Sequence, residues 1–475
     1  MINKHFPDAT HKQIDDALEL ASSCFVEFSK KKGSERSNFL NCIAFQLESK
    51  KNMIVDVADN ETRLGNQRLI SELNRTVLQI REFARLAETG NWREQTIEKG
   101  EPNRLPIPKP DMAKENIPIG PVVVIGACNF PIAISVVGTD TSSALAVGCP
   151  VVVKSHPKHA YTCQILADIV NIAKKETGMP DGCFSLHHGI NHSVTAQMVS
   201  HRKTSAVAFT GSLKGGRELS KIASTRNHPI PFYAEMGSIN PVFALPGALL
   251  SKGGQFANGY IKAVNLFAGQ MCTKPGILIL LKESYNQEFV TAIKASVARQ
   301  ENLPMLNPDV FRNFEDCSKL HRTKLSLVAE SQKKQVLEKQ TGQIQIFRIS
   351  GNEFLDDPEI QTEAFGPSSI IVIAETKEEM IELAKSMEGS LTGSILIGEN
   401  DDEFVRQLYP ILESKVGRLL WNDFPPGVIP GIATHHGGPW PASTDARFTS
   451  IGIQGYKRFI RSICRQGFAT SGRMP

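Results

Sequence analysis

Apolar residues recur at helical spacing through residues 1–101. Thr10 with Gln13 has the form of a capping box, and Ala17, Leu18, Ala21 and Phe25 follow on one helix face. The basic run Lys30 to Lys32 reads as the solvated C-terminal end of that helix. Ser34 is placed to cap a second helix bearing Phe39, Leu40, Ile43 and Leu47. A third, longer one carries Leu69, Leu73, Val77, Ile80, Ala84 and Ala87, and Gly90 ends it. This stretch predicts a packed helical layer. The pattern then breaks. Pro102, Pro106, Pro108, Pro110, Pro118 and Pro121 flank extended pieces. The segment reads as a hairpin reaching away from its domain towards another subunit, or as a plain proline-rich connector.

From Val122 onward, short β-branched runs alternate with helical pieces. Strands are expected at Val122 to Ile125, Val151 to Val153, Cys183 to His187, Ala206 to Phe209 and Pro231 to Glu235. Helices are expected at Ile132 to Ala146 (opened by Pro131), Tyr161 to Lys175, Val194 to Ser200 and Gly215 to Ser224. Such alternation with short turns predicts an α/β fold, a parallel sheet with helices on both faces. Ligands bind such sheets at the carboxyl ends of the strands. A second alternation predicts a second α/β domain. Its strands lie at Pro241 to Leu245, Gly276 to Leu281, Ile344 to Ile349, Ser369 to Ile373, Ser394 to Ile397 and Val416 to Leu420. Its helices lie at Phe256 to Phe267 and Gln287 to Arg299, and the stretch to about Lys339 reads as polar connection.

Composition narrows the class. Lys+Arg 53 against Asp+Glu 49 leaves a net charge of +4, too small and dispersed to argue for nucleic acid. No apolar stretch is long enough to span a bilayer, and the N-terminus has no signal-peptide pattern. The nine cysteines are scattered without a C-x-x-C pair, which fits a reducing, cytoplasmic compartment better than a disulfide framework.

Candidate chemistry sits at the turns. Cys272, in Gly269-Gln-Met-Cys-Thr273, joins a helix to a strand, where exposure and nearby N–H groups favour a thiolate; most single cysteines only pack. Glu235 ends a strand beside Gly237 and can act as a general base if burial raises its pKa; otherwise it is a solvated carboxylate. Asn129, in Ile125-Gly-Ala-Cys-Asn-Phe-Pro131, can donate to an oxyanion or simply make a turn. Its neighbour Cys128 reads as a packed residue. Lys154 lies just past a strand, in reach of a nucleotide or of solvent. Phe209-Thr-Gly-Ser-Leu-Lys-Gly-Gly216 can let a backbone approach a pyrophosphate, although the usual G-x-G-x-x-G is absent. Glu363-Ala-Phe-Gly-Pro367 says little alone. His435 and His436, adjacent in a Gly/Pro loop with no nearby carboxylate or cysteine set, read as poor metal ligands, so no metal is expected.

In this order, from about Ile119 to Arg461, these motifs resemble the aldehyde dehydrogenase superfamily. The resemblance implies a Rossmann-type cofactor domain, an α/β catalytic domain and a small oligomerisation hairpin. It implies a Cys272 thiohemiacetal and then a thioester, with the oxyanion held by Asn129 and the Cys272 amide, and water activated by Glu235. It also implies that Glu363 holds the nicotinamide ribose, Phe365 flanks the nicotinamide, Lys154 holds the adenosine ribose, and Gly211, Ser212 and Gly216 form the pyrophosphate turn. Many NAD-preferring members carry a glutamate three residues after the lysine; here that position is Pro157. Loss of the carboxylate relieves repulsion of a 2′-phosphate. Lys214, His156 or Lys158 could add positive charge, so NADP is favoured over NAD.

Gly148 to Lys154, Tyr233 to Val242 and His436 to Arg447 look like the α-ketoglutaric semialdehyde (2,5-dioxopentanoate) dehydrogenase branch, whose relatives include NADP-dependent fatty aldehyde dehydrogenases. A carboxylate-bearing substrate needs a cation, and Arg447 is one candidate, a structural loop arginine the other. The alternative substrate is a medium- or long-chain fatty aldehyde, oxidised with NADP. A CoA-acylating relative is disfavoured because Glu235 is present; a non-catalytic binding protein is disfavoured because Cys272 is also intact. Expected domains are 1–101 with 122–234 for the cofactor, 235–450 for catalysis, and 102–121 with 451–475 for oligomerisation. A homodimer or homotetramer is expected, with a disordered tail after Gln466.

Overall fold

The computed structural model describes residues 6–332, 340–425 and 427–467. Helix α1 spans His11–Lys30 and opens on the Thr10–Gln13 capping box. Helix α2, Gly33–Ser49, starts one residue before Ser34, with Lys32 as N-cap. A Cβ on Gly33 would lie 2.2 Å from the Ala87 carbonyl, so this end is set by close packing rather than by a serine cap. Helix α3, Lys51–Thr62, escaped the sequence pattern; it buries only Ile54, Val55, Ala58 and Thr62. Helix α4, Asn66–Thr89, ends on left-handed Gly90, as expected.

The excursion is more than a hairpin. Strands β1 (Thr96–Glu98) and β2 (Met112–Pro118) pair antiparallel, and the late strand Ile460–Gln466 pairs with β2 on its other side. Thus Thr96–Glu98, assigned from sequence to the cofactor domain, belongs to this three-stranded sheet.

The next elements are β3 (Val122–Ile125), α5 (Thr139–Val147), β4 (Val151–Lys154), α6 (Ala160–Glu176), β5 (Phe184–His187), α7 (His192–Ser200), β6 (Ala206–Thr210), α8 (Leu213–Thr225) and β7 (Phe232–Glu235). The sheet is parallel in the order β5-β4-β3-β6-β7. Its order reverses between β3 and β6, the switch point beyond which ligands collect in open sheets. Val122 and Val124 pack with α2, α4 and α6, while Val123 and Val207 pack with α1 and α7. The helix expected from Ile132 is shorter. Residues 131–138 form turns because Glu72 of α4 takes the Ile132 and Ala133 amides at 2.8 and 2.9 Å. Pro131 therefore opens a turn, not a helix.

The last sheet is built from β8 (Pro241–Ala244), α9 (Pro246–Asn265), β9 (Ile277–Leu281), α10 (Gln287–Ala298), α11 (Pro308–Lys324), β10 (Ser326–Glu330), β11 (Gln345–Ser350), α12 (Gly351–Asp356), β12 (Ser368–Ala374), α13 (Lys377–Ser386), β13 (Ser390–Leu396), α14 (Asp402–Glu413) and β14 (Val416–Trp421). The order is β10-β11-β12-β9-β8-β13-β14, parallel apart from β10. Helix α9 begins ahead of Phe256 because its first turns, non-helical at Lys252, carry glycines that hide the periodicity. The stretch read as polar holds α11 and β10; α11 buries only Phe314, Ser318 and His321. Strand β15 (Ile460–Gln466) is the last element among the described residues, and the tail expected to be disordered lies outside them from 468 onward. Arg458, just before β15, meets Asp140 of α5 at 2.6 Å, both buried.

Candidate active site

Cys272 is delivered by an unusual turn. Phe267, Ala268 and Gly269 take φ values of 54°, 57° and 65° in succession. Each non-glycine residue there costs on the order of 1–2 kcal/mol. The turn persists because it is packed from outside: a Cβ on Gly269 would lie 2.2 Å from the Gly366 carbonyl. From inside, Asn240 Nδ2 donates to the Cys272 carbonyl at 2.8 Å and to the Lys274 carbonyl at 2.9 Å. The Asn240 oxygen accepts from Ser238 Oγ at 2.8 Å and from the Thr392 amide and hydroxyl at 3.1 and 3.0 Å. Asn240 itself sits at φ 55°. It stands in the sequence motif before Pro241, where no role could be read for it.

Cys272 Sγ lies 3.5 Å from His436 Nε2, which lies 2.9 Å from Glu235 Oε1. Ser450 Oγ donates to Glu235 Oε2 at 2.5 Å. This overturns the sequence argument about His436: folding brings a carboxylate, a thiol and an imidazole within 4.8 Å of one another. His436 Nε2 is the centre of the group, in hydrogen-bond distance of both the thiol and the carboxylate. The signal was His436-Gly-Gly438. Added Cβ atoms on Gly437 and Gly438 would sit 2.6 Å from the Phe448 carbonyl and 2.4 Å from the Ser390 carbonyl, so the glycines let this loop press into the site.

The electrostatics also differ from expectation. Burial pushes the Glu235 carboxyl up, but the charge of His436 and hydrogen bonds from His436, Ser450 and Cys272 outweigh it, so its pKa falls below the ordinary 4.5. Burial, and then the charge of Glu235, push the Cys272 thiol well above its ordinary value. The resting pair is therefore thiol and carboxylate. Asn129 is buried, and its Nδ2 donates to the Gln270 carbonyl at 3.0 Å, which fixes the amide beside the cysteine turn with one N–H still to offer. Burial raises the Cys128 thiol to about 11.

The remaining predicted residues lie at or just after the ends of β4 and β6 and on the loop before β12. Lys154 ends β4, and burial lowers its pKa. Ser212 caps α8, its Oγ accepting the Gly215 amide at 3.2 Å. Gly211 and Gly216 have no room for a Cβ, which would lie 2.6 Å from the Phe209 ring and 2.4 Å from Met236 Sδ. Lys214 is exposed on the first turn of α8. Glu363 lies against Gly237, where a Cβ would sit 2.1 Å from its carboxylate, and Phe365 is half-buried on the same loop. Burial raises Glu363, and buried Lys274 opposes that rise.

Two expectations fail, and a third is decided in favour of its structural alternative. Lys158 is paired with Asp309, and burial drives His156 well below its ordinary pKa, so neither offers a free positive charge. Arg447 is taken by Asp445 at 2.9 and 2.6 Å on the surface, its side chain 80% exposed.

A family model described as the aldehyde dehydrogenase family matches residues 2–440. The alpha-ketoglutaric semialdehyde dehydrogenase 2 of Azospirillum brasilense is 36% identical over 467 residues, covering 98% of this chain and 88% of that protein. The alpha-ketoglutaric semialdehyde dehydrogenase of Acinetobacter baylyi is 35% identical, covering 97% and 88%. Among solved structures, the 1-pyrroline-5-carboxylate dehydrogenase from Thermus with bound NAD superposes with a TM-score of 0.81 at 20% identity, covering 97% and 86%.

Proposed function

The chain belongs to the aldehyde dehydrogenase family and oxidises an aldehyde to the acid, and we propose that its aldehyde is 2,5-dioxopentanoate, released as 2-oxoglutarate. The observation that carries the mechanism is the Cys272–His436–Glu235 triangle. The two semialdehyde dehydrogenases similar over nearly the whole chain support the substrate.

Cys272 Sγ bonds to the aldehyde carbon while its proton passes to the ionised Glu235, with His436 hydrogen-bonded to both. The oxyanion of the thiohemiacetal takes the Asn129 amide and the Cys272 N–H, donors fixed before reaction begins. A nicotinamide dinucleotide, when bound, would supply the acceptor for the hydride lost from the thiohemiacetal carbon, which then remains on Cys272 as a thioester. The chain's residues suit such a group: the Ser212-capped helix start leaves first-turn amides for a pyrophosphate, with Lys154 at the end of β4 and Glu363 on the loop before β12. Glu235 releases that first proton to solvent and, ionised again, takes a proton from water as the water attacks the thioester, later returning it to the departing sulfur. The acid leaves and the thiol re-forms.

NADP is accepted, on this reading, because Pro157 carries no charge and Lys214 is exposed at the start of α8. Pro157→Glu should then shift the NADP/NAD ratio of kcat/KM towards NAD by about tenfold, the worth of one charged hydrogen bond. An unchanged ratio refutes the assignment. The protein works in a reducing, cytoplasmic setting, a reading supported by nine unbridged cysteines. It does so as a homodimer or homotetramer, supported by apolar Ile97, Leu105 and Ile107 standing 58%, 87% and 73% exposed around the three-stranded sheet.

The test is turnover of 2,5-dioxopentanoate and of a long-chain aldehyde, each with NAD and NADP, with Cys272→Ala as control. Turnover of the dioxo acid, lost in the variant, supports the proposal. Turnover of the fatty aldehyde alone keeps the mechanism and discards the substrate.

A further inference from the structure

Arg447 is spent on the surface, so a carboxylate-bearing substrate must find its cation elsewhere. Among the described residues, every buried guanidinium nitrogen without a partner belongs to one of three arginines: Nε and Nη1 of Arg68, Nε of Arg75, and Nε and Nη2 of Arg418. Buried donors are almost always satisfied, and a charged one left unpaired costs more than about 1–3 kcal/mol. Their shared position gives the reason.

Arg68 and Arg75 both project from α4 towards the Asn129 loop. Arg68 donates to the Asn129 carbonyl and lies 4.9 Å over the Phe130 ring and 4.1 Å over the Phe267 ring. Arg75 lies 5.2 Å over Phe130, and its Nη1 donates to the Val428 carbonyl at 3.2 Å. Phe130 packs with Met271, the residue before the nucleophile. Arg418 comes from β14. Its register partner is Thr392, so the two side chains share a sheet face, and Thr392 binds the Asn240 that holds the Cys272 carbonyl. Burial lowers all three guanidinium pKa values, while the charge of Glu72 acts against that fall in Arg68 and Arg75, and that of Asp423 in Arg418. Glu72 stands between Arg68 and Arg75 on α4 but spends Oε1 on the Ile132 and Ala133 amides.

We propose that Arg75 of α4 and Arg418 of β14, which stand behind the nucleophile's turn through Phe130 and Thr392, form the receiver for the carboxylate at the far end of the aldehyde substrate, with Arg68 a positioning residue that braces Asn129. The inference rests on the substrate reading above. It selects short ω-oxo acids and disfavours uncharged aldehydes, whose tails would leave these N–H groups unmet.

The experiment compares 2,5-dioxopentanoate with pentanal in wild type, Arg75→Met and Arg418→Met. In each variant the ratio of kcat/KM for the dioxo acid over pentanal should fall by about 10- to 100-fold, carried by KM, as expected when one charge-assisted hydrogen bond is removed. Arg418→Lys, which keeps the charge without the fork, should recover part of the ratio. A wild-type preference that survives both substitutions overturns this proposal and leaves the substrate reading standing. A wild type indifferent between the two aldehydes overturns both. If Arg75→Met fails to fold, having lost its tie to Val428, the Arg418 pair decides alone.

Discussion

At the scale of single residues, the site depends on where protons rest. Cys272 rests as thiol, so in the cofactor-free enzyme iodoacetamide should label exposed Cys464 before Cys272 at neutral pH, and labelling of Cys272 should accelerate as pH rises. Peptide mass mapping reads this; a Cys272 that labels first contradicts the resting state described. Glu235→Gln removes the base from both thiol activation and thioester hydrolysis, so both should slow. Reduced cofactor should appear without a fast burst, and turnover should slow about 10²-fold or more. The same carboxylate has a depressed pKa, so it stabilises the fold above the ordinary 4.5 and loses that contribution as pH falls through its lower folded value. The melting-temperature gap between wild type and Glu235→Gln should accordingly be full at pH 7 and close in acid. Cys272, Glu235 and Asn129 could be read from sequence because their neighbours form ordered motifs. His436 could not, since its partners are 164 and 201 positions away in the chain. The arginines of α4 were hidden for a similar reason: on an amphipathic helix they look like ordinary solvated charges.

At the scale of elements, strands and their carboxyl-end turns were legible because β-branched runs are short and bounded by glycine or proline. Helices α3 and α11 were not, because they bury too few apolar positions to show a period. The Ile132 turn was misread because its backbone is satisfied by Glu72, a side chain from another helix, and no local rule contains that partner. Distant ties of this kind carry testable weight. Arg458 and Asp140 are buried partners joining the approach to β15 to α5. Arg458→Met strands the Asp140 carboxylate and should cost about 3–5 kcal/mol in chemical denaturation. Adding Asp140→Leu should return part of that loss. Additive losses would mean the two act independently.

At the scale of the whole molecule, three sheets divide the labour: one ends in the nucleotide turns and Glu235, one carries Asn240 and Arg418, and the smallest faces outward. The sequence reading took the smallest for a hairpin because β15 lies far from β2 in the chain. Its apolar margin predicts assembly. Light scattering at micromolar concentration should give a dimer or tetramer, and Leu105→Asp with Ile107→Asp should move the mass towards monomer; a wild-type monomer would contradict the proposed assembly.

Gly269 and Gly366 touch backbone to backbone, and Gly366 has its own neighbour, since a Cβ there would enter the Phe314 ring at 2.2 Å. The nucleophile's turn and the loop of Glu363 and Phe365 are thus two cogs meshed without clearance. A saturation library at position 269 should return glycine almost alone among active clones, and randomising position 366 beside it should rescue nothing unless position 314 shrinks too. For anyone redesigning this enzyme, the space of workable changes runs through its walls of arginine and phenylalanine, while the hinge between its two chemistries admits a single spelling.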